Sequence, residues 1–213
     1  MERLTTAEVA ALFRECVNLT GNPSVGVTVA RFMQPSTLHA LGYSLQASST
    51  LRDCCERLVI YFRLVSEQAE IRITEEGRLF RLSMHTLAEG VAFETLDAFM
   101  CFLVRLFRLL YKPDLKPVSV KLARPCPPGY ETQYEKSLHA PITFDAPYCE
   151  ISLEQHVVDE PLIGGIREIA HHNDQIIEGY LETLDKEDIV TRVKKFIIQD
   201  LSSGRCSKKR VAE

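Results

Sequence analysis

The sequence lacks tryptophan and lacks the short motifs that mark the common enzyme classes. None of its 213 residues is tryptophan, so no indole ring is present to stack on a sugar. No GxSxG, HExxH, P-loop or GxGxxG pattern occurs, and these patterns mark serine hydrolases, zinc hydrolases and nucleotide-binding loops. The sequence therefore predicts no enzyme activity, no metal site and no bound cofactor.

A signal peptide and a membrane span are also missing. Residues 1–5 contain no apolar segment of the kind found in a signal peptide. The most apolar stretch, residues 99–111, is well short of the roughly 20 residues that cross a bilayer. We therefore expect a cytoplasmic protein without membrane contact, and we expect residues 99–111 to form a buried helix.

Paired cysteine motifs are absent as well. The chain has 7 cysteines, an odd number, and none stands in a CxxC pair. This pattern predicts free, mostly buried thiols rather than a disulfide framework or a zinc site. Cys54 and Cys55 lie on the apolar face of a predicted helix, and no basic cluster close in sequence would lower the pKa of their thiols. We expect them to be core residues rather than redox sensors.

Basic side chains are outnumbered along the chain but are concentrated at its end. The 25 Lys and Arg residues face 29 Asp and Glu residues, a net charge of -4. Such a surface does not neutralise DNA phosphates, so we expect no DNA-binding residue in this chain. The closing residues nevertheless include Arg205, Lys208, Lys209 and Arg210, and Ser207 among them is a helix start signal. We expect a further segment, which binds something anionic, to follow.

The spacing of apolar residues predicts an α+β fold. Thr50 and Asp53 form a capping box that opens a helix over residues 51–65. Further segments with helical spacing are residues 6–19, 22–32 and 92–111. Residues 38–45 also have helical spacing, but Leu41, Tyr43 and Leu45 alternate as in a strand, so both structures stay open there, with helix favoured. Strands are predicted at residues 71–75, 78–85, 118–122, 142–144 and 149–153. Helical spacing returns in residues 162–184 and 188–201. We expect a small, mostly antiparallel sheet packed with several helices and ending in two long C-terminal helices.

Residues 71–85 predict a β-hairpin whose two-residue turn is Glu76-Gly77. This turn would place Arg72 directly opposite Arg81, and like charges across a strand pair are destabilising. Either solvent and nearby carboxylates relieve the repulsion, or an anionic ligand lies over this face beside Ser83 and His85. Arg72, Arg81 and His85 are therefore candidate ligand-binding residues.

Three further candidates lie on predicted helices. Arg105 and Arg108 are three residues apart in the most apolar helix, where a buried guanidinium needs a partner. A structural salt bridge is the expected role of this pair, and Arg105 is also a candidate ligand-binding residue. Tyr61 and Arg63 flank the inner face of the helix over residues 51–65, where they would line a pocket or its edge.

Several segments follow one another in a distinctive order: residues 41–53, 58–66 and 144–147, then Leu153 and Pro161-Leu162. In this order the chain resembles the N-terminal regulatory region of AraC/XylS-type transcription regulators. The resemblance is to the branch with an arabinose-binding-like domain typified by ornithine-utilisation regulators, and it runs almost end to end. Residues 203–207 resemble the junction where such regulators enter their first helix-turn-helix unit.

The resemblance implies a two-part regulator. Residues 1–184 would sense a small organic effector and form a homodimer, residues 185–206 would be a linker helix, and residues 207–213 would begin a helix-turn-helix domain cut short here. DNA would be bound only through that C-terminal domain. Because tryptophan is absent, arabinose itself is not carried over as the effector.

Two other functions stay open from the residues. A ligand-free protein-interaction module would have no enclosed pocket. A small-molecule enzyme would need a nucleophile hydrogen-bonded to His85, His171 or His172.

Overall fold

A five-stranded sheet is the framework of the fold. The computed structural model describes residues 4–201, and it describes side chains for residues 4–184. The strands are β1 (Ala69–Glu76), β2 (Leu79–Thr86), β3 (Ser119–Lys121), β4 (Ile142–Thr143) and β5 (Cys149–Glu154). Their order across the sheet is β1-β2-β5-β3-β4, with β3 and β4 parallel and the other pairs antiparallel. The predicted α+β class with a mostly antiparallel sheet is confirmed.

Helices pack against this sheet and share one core with it. In chain order they are α1 (Thr6–Thr20), α2 (Val25–Val29), α3 (His39–Gln46), α4 (Leu51–Tyr61), α5 (Phe93–Leu110), α6 (Glu131–Leu138), α7 (Gln155–Asp159) and α8 (Arg167–Leu201). Short 3-10 turns span Pro35–Leu38 and Phe62–Leu64. Apolar side chains of α4, α5 and the strands form a single buried cluster, so the helices cover one face of the sheet. No helix in the described part of the chain is both long and apolar enough to span a membrane.

Helix α4 begins as the capping pattern predicts. The Thr50 hydroxyl accepts the N–H of Asp53 at 3.0 Å, and the Asp53 carboxylate accepts the N–H of Ser49 at 2.8 Å. These bonds satisfy N–H groups that have no partner within the helix. The α-helix ends at Tyr61, and the chain continues as a 3-10 turn instead of remaining α-helical to Val65.

The thiols of α4 are fully buried. Burial raises the pKa of Cys54 to about 12 and also raises the pKa of Cys55. Both side chains therefore remain neutral thiols that pack in the core, and the thiolate needed for redox chemistry is suppressed. The six cysteines among the described residues are free, as predicted.

The hairpin forms, but its predicted register is wrong by two residues. The turn is Gly77-Arg78, so Arg72 lies opposite Ser83 and Arg81 lies opposite Thr74. Gly77 has a φ of 61° and is the first central residue of the turn, the position where a type II′ turn requires glycine. Since the shift is an even number of residues, Arg72 and Arg81 still share one face of the sheet. We call this the outer sheet face, because the buried Phe80 and Leu82 lie on the opposite, core side.

The two predicted C-terminal helices lie end to end in one 35-residue helix, α8, which continues through Asp185. The predicted start near Pro161 is wrong, because α8 begins at Arg167. The preceding segment instead pairs its backbone with residues 47–49: Leu162 donates to Ser49 at 2.9 Å and Ile166 donates to Ala47 at 3.0 Å. The basic closing residues 205–210 lie outside the described residues.

Candidate functional site

The six predicted ligand-binding residues do not form one site. Arg72, Arg81 and His85 lie on the outer sheet face, while Tyr61 and Arg63 lie at the end of α4 and in the following 3-10 turn. Arg105 lies on α5, beside a different surface groove.

On the outer sheet face, carboxylates neutralise both predicted arginines. Arg72 forms an ion pair with Glu70. Arg81 pairs with Glu76, and its Nε lies 4.0 Å from Glu150 Oε1. Lys121 Nζ also reaches Glu150, at 2.9 Å. Of the two explanations for the clustered arginines, local carboxylates are therefore the one this face supports.

His85 is joined to Ser83 on the same face. The Ser83 Oγ and His85 Nε2 are 3.0 Å apart, and the His85 ring stacks against Tyr148 with centroids 4.4 Å apart. Burial lowers the pKa of His85, and the positive charge of Arg72 lowers it further, so the imidazole is neutral at pH 7. Ser83 is only 4% exposed, which closes its hydroxyl to a substrate. This pair therefore does not support the enzyme alternative.

Tyr61 forms a hydrogen bond with helix α8 instead of lining a groove. Its hydroxyl donates to the Glu178 carboxylate at 3.0 Å. Burial and this hydrogen bond raise the pKa of Tyr61 to about 12, so the phenol stays protonated and able to donate. The sequence placed Tyr61 correctly at the edge of the inner face of α4, but its partner lies 117 residues away.

A second polar group beside Tyr61 joins α3 and α4 to α8. Arg57 Nε lies 3.1 Å from Asp174 Oδ2, and Arg57 also pairs with Asp53 one turn earlier on α4. The Ser44 hydroxyl of α3 donates to the same Asp174 carboxylate. We call Ser44, Arg57, Tyr61, Asp174 and Glu178 the α8 clasp. Because Ser44 is fully buried and Arg57 is largely so, these charge-assisted bonds are only weakly screened by solvent.

Arg63 borders an open groove of about 370 Å³ next to strand β1, which is the edge of the sheet. Its Nε lies 3.5 Å from Glu67. The groove also contains Glu70, which pairs with Arg72. This groove therefore adjoins the outer sheet face, but its charged groups already take part in ion pairs.

Arg105 and Arg108 border a second open groove, of about 390 Å³, between α5 and the segment after α2. We call it the α5 groove. Arg105 Nη1 donates to the backbone carbonyl of Ala30, and Arg108 Nη1 donates to that of Leu115 at 2.6 Å. Among residues 4–184 neither guanidinium has a carboxylate within 4.0 Å. The salt bridge expected for this pair is therefore wrong, because backbone carbonyls satisfy part of each guanidinium instead.

A buried charge group was not predicted from the sequence. Asp97 Oδ2 on α5 accepts from both Arg124 and Tyr134, each at 2.6 Å. Asp97 is 1% exposed and its Oδ1 has no hydrogen-bond partner among the described residues. Burial raises the pKa of Asp97. The sequence feature that could have indicated this group is Asp97 itself, a carboxylate inside the most apolar helix of the chain.

Three comparisons place the chain among known proteins. Residues 1–162 match the family model described as "Arabinose-binding domain of AraC transcription regulator, N-term". The ornithine utilization regulator of Pseudomonas aeruginosa is 23% identical over 206 residues, which cover 92% of this chain and 58% of that protein. The crystal structure of the transcriptional regulator CdpR from the same species has a TM-score of 0.61 at 17% identity. That match covers 76% of this chain and 54% of the CdpR chain, and it shows a shared fold.

Proposed function

The chain belongs to the family of N-terminal arabinose-binding domains of AraC transcription regulators, and on that premise we propose that it senses a small organic effector and forms a homodimer. The chain spans 58% of the length of the curated relative it matches. DNA binding would then belong to a separate C-terminal domain of a longer bacterial regulator. In this arrangement residues 1–184 are the sensing unit, residues 185–206 connect the two domains, and the DNA-binding domain begins near residue 207.

The α8 clasp is the observation that carries the sensing proposal. Helix α8 packs against α3, its Ala170 and Ile177 are fully buried, and the clasp adds charge-assisted hydrogen bonds to Asp174 and Glu178. The helix then continues to Leu201. A ligand that favours one arrangement of α3 and α4 would therefore shift the position of α8, provided that it binds the two arrangements with different affinity.

Homodimer formation is supported by a second surface of α8. Ile169, Asn173, Ile176 and Tyr180 follow one another at spacings of four, three and four residues, the a/d repeat of a coiled coil. The three apolar members are between 40% and 61% exposed, so the described part of the chain covers them only in part. We propose that a second copy of α8 covers this α8 seam in a two-fold symmetric pair. The polar Asn173 at an a position would fix the register.

DNA contact by this chain alone is not part of the proposal. The net charge of -4 disfavours association with the negatively charged DNA backbone. We place the protein in the cytoplasm, where a regulator meets its DNA. A sequence-specific, salt-sensitive gel shift produced by residues 1–213 alone would contradict the proposal that only the C-terminal domain binds DNA.

The test uses residues 1–213 and the full-length regulator together. A metabolite library is screened for compounds that raise the Tm of residues 1–213, since a ligand at 100 times its Kd adds about 2.7 kcal/mol of stability. We expect such a compound to change the affinity of the full-length regulator for its promoter by roughly 5- to 150-fold, the usual range of allosteric coupling.

Clasp variants then distinguish sensing from simple binding. In the full-length regulator, Asp174→Ala should keep the Tm shift produced by the compound but reduce its effect on DNA affinity. Asp159→Asn is the matched control, because Asp159 pairs with Arg52 outside the clasp. A stabilising compound that leaves DNA affinity unchanged in the unmodified regulator would contradict the sensing function.

A further inference from the structure

The partly buried arginines of this protein differ in what neutralises them. Four of them lie near two carboxylates each: Arg52, Arg57, Arg81 and Arg124. Arg105 and Arg108 depart from this pattern, because within residues 4–184 their hydrogen bonds go to backbone carbonyls. A carbonyl oxygen carries no full negative charge, so both positive charges remain uncompensated at the α5 groove.

The two guanidinium groups also keep unused donors. Each guanidinium has five N–H donors in a planar fork. The bonds of Arg105 to Ala30 and Met33, and the bond of Arg108 to Leu115, all come from Nη1. In the described part of the chain Nε and Nη2 of both residues have no acceptor, so they are free for the oxygens of an anion.

The rest of the α5 groove is mainly apolar. Its apolar lining consists of Met33, Pro35, Phe102, Leu106, Leu109 and Pro113. The volume of about 390 Å³ is within the range of small-molecule sites. An apolar lining with two uncompensated cations at its rim fits a ligand that has an apolar body and one anionic end.

We propose that the α5 groove binds a small organic carboxylate, with its anionic end on Arg105 and Arg108 and its apolar body along Met33 and Leu109. This site rests on the proposed sensing function and names the chemical class of the effector. The outer sheet face is the weaker location, because carboxylates of the protein already neutralise Arg72 and Arg81.

The position of the groove also connects it to α8. Pro35, which lines the groove, is the first residue of the 3-10 turn Pro35–Leu38. This turn packs against α3. At Gly42 the two backbones approach so closely that a Cβ on Gly42 would overlap the Pro35 carbonyl. Helix α3 in turn contacts α8 through Ser44 and Asp174 of the clasp. A ligand that displaces the Pro35 segment therefore acts on α8 through one intervening helix.

Binding is tested by calorimetric titration of residues 1–213 with 4-phenylbutyrate. The neutral probe 4-phenylbutan-1-ol has the same apolar body without the charge, and inorganic phosphate has charge without the body. We expect 4-phenylbutyrate to bind at least tenfold more tightly than either. Arg105→Gln should weaken its binding about tenfold, which corresponds to about 1.4 kcal/mol.

Two variants keep this test independent of folding. Leu109 is 66% exposed, so Leu109→Glu should fold normally while its carboxylate repels the probe and removes binding. Arg72→Gln is the matched control on the outer sheet face and should bind like the unmodified chain. Equal affinity for the acid and the alcohol, or equal loss in Arg72→Gln and Arg105→Gln, would overturn the site.

Failure of the site and failure of the sensing function give different results. If Arg105→Gln and Leu109→Glu leave the response of the full-length regulator to its own effector intact, the α5 groove is not the effector site, and the proposed sensing function is unaffected. If no compound alters DNA binding of the unmodified regulator, the sensing function itself fails.

Discussion

Asp97 shows how one buried carboxylate can organise several elements. It lies on α5, and its Oδ2 accepts hydrogen bonds from Arg124, in the segment after β3, and from Tyr134, on α6. Arg124 also donates to the Pro23 carbonyl before α2, at 3.3 Å. A buried charge network of this kind specifies geometry, because each group loses its solvation and depends on the others for compensation.

The raised pKa of Asp97 predicts a particular dependence of stability on pH. The folded state takes up a proton on Asp97 at a higher pH than the unfolded state does. Lowering the pH therefore favours the folded state through this group. We expect the free energy of unfolding of the unmodified chain, minus that of Asp97→Asn, to increase as the pH falls from 7 towards the ordinary carboxyl pKa of about 3.9.

Urea unfolding of both proteins at several pH values measures this difference. The amide side chain of the Asp97→Asn variant does not titrate, and the other ionisable groups contribute almost equally to both proteins and cancel. A difference that decreases as the pH falls would mean that the Arg124 charge outweighs burial and that the pKa of Asp97 is lowered.

At the scale of elements, local patterns predicted most of the structure. The Thr50 cap, the apolar helix α5 and the alternating strands β1 and β2 each depend on residues close in sequence, and each was predicted. The hairpin register was wrong because Glu76-Gly77 and Gly77-Arg78 both offer a two-residue turn containing glycine, and the predicted turn placed this glycine second instead of first.

The missed features depend on contacts that are distant in sequence. Residues 162–166 have helical spacing but pair with the backbone of residues 47–49. Gly165 permits this pairing, because a Cβ there would lie 2.9 Å from the Ser48 carbonyl oxygen. The α8 clasp joins Ser44 to Asp174 across 130 residues. No local periodicity contains this information, so Tyr61 was predicted in a functional role but without its partner.

The close approach of α3 to the Pro35 segment gives a prediction at this scale. Gly42→Ala would force a methyl group into a backbone carbonyl, which cannot move as a flexible side chain can. We expect a loss of about 3 kcal/mol or more, at or beyond the upper end of ordinary overpacking. Thermal or urea unfolding of residues 1–213 measures it.

Gly179→Ala is the matched control, because Gly179 lies on α8 with no atom within 4 Å of an added Cβ. Alanine there should stabilise the helix by about 0.5–1 kcal/mol. If Gly42→Ala were as well tolerated as Gly179→Ala, the α3 and Pro35 backbones would not be in close contact, and the connection from the α5 groove to α8 would be lost.

At the scale of the whole molecule, α8 has two apolar sides with different roles. One side carries Ala170 and Ile177, both fully buried against the domain. The other side is the α8 seam, where Ile169 and Ile176 are 47% and 40% exposed. Since both sides belong to one continuous helix, movement at the clasp would change the angle at which two copies of α8 meet. Sensing and pairing would then be coupled through one element.

Substitution in the α8 seam tests this arrangement. We expect residues 1–213 to sediment as a dimer and the double variant Ile169→Glu, Ile176→Glu to sediment as a monomer. Four glutamates would face one another in the pair, where burying their charge without partners is costly. The unpaired surface of α8 would tolerate them, so the far-UV circular dichroism of the variant should match that of the parent chain apart from any loss along α8.

Ile60→Glu is the matched control, since Ile60 is 64% exposed on α4 beside the groove that Arg63 borders. A dimer that survives the double variant but not Ile60→Glu would place the interface at the β1 edge and contradict pairing through α8.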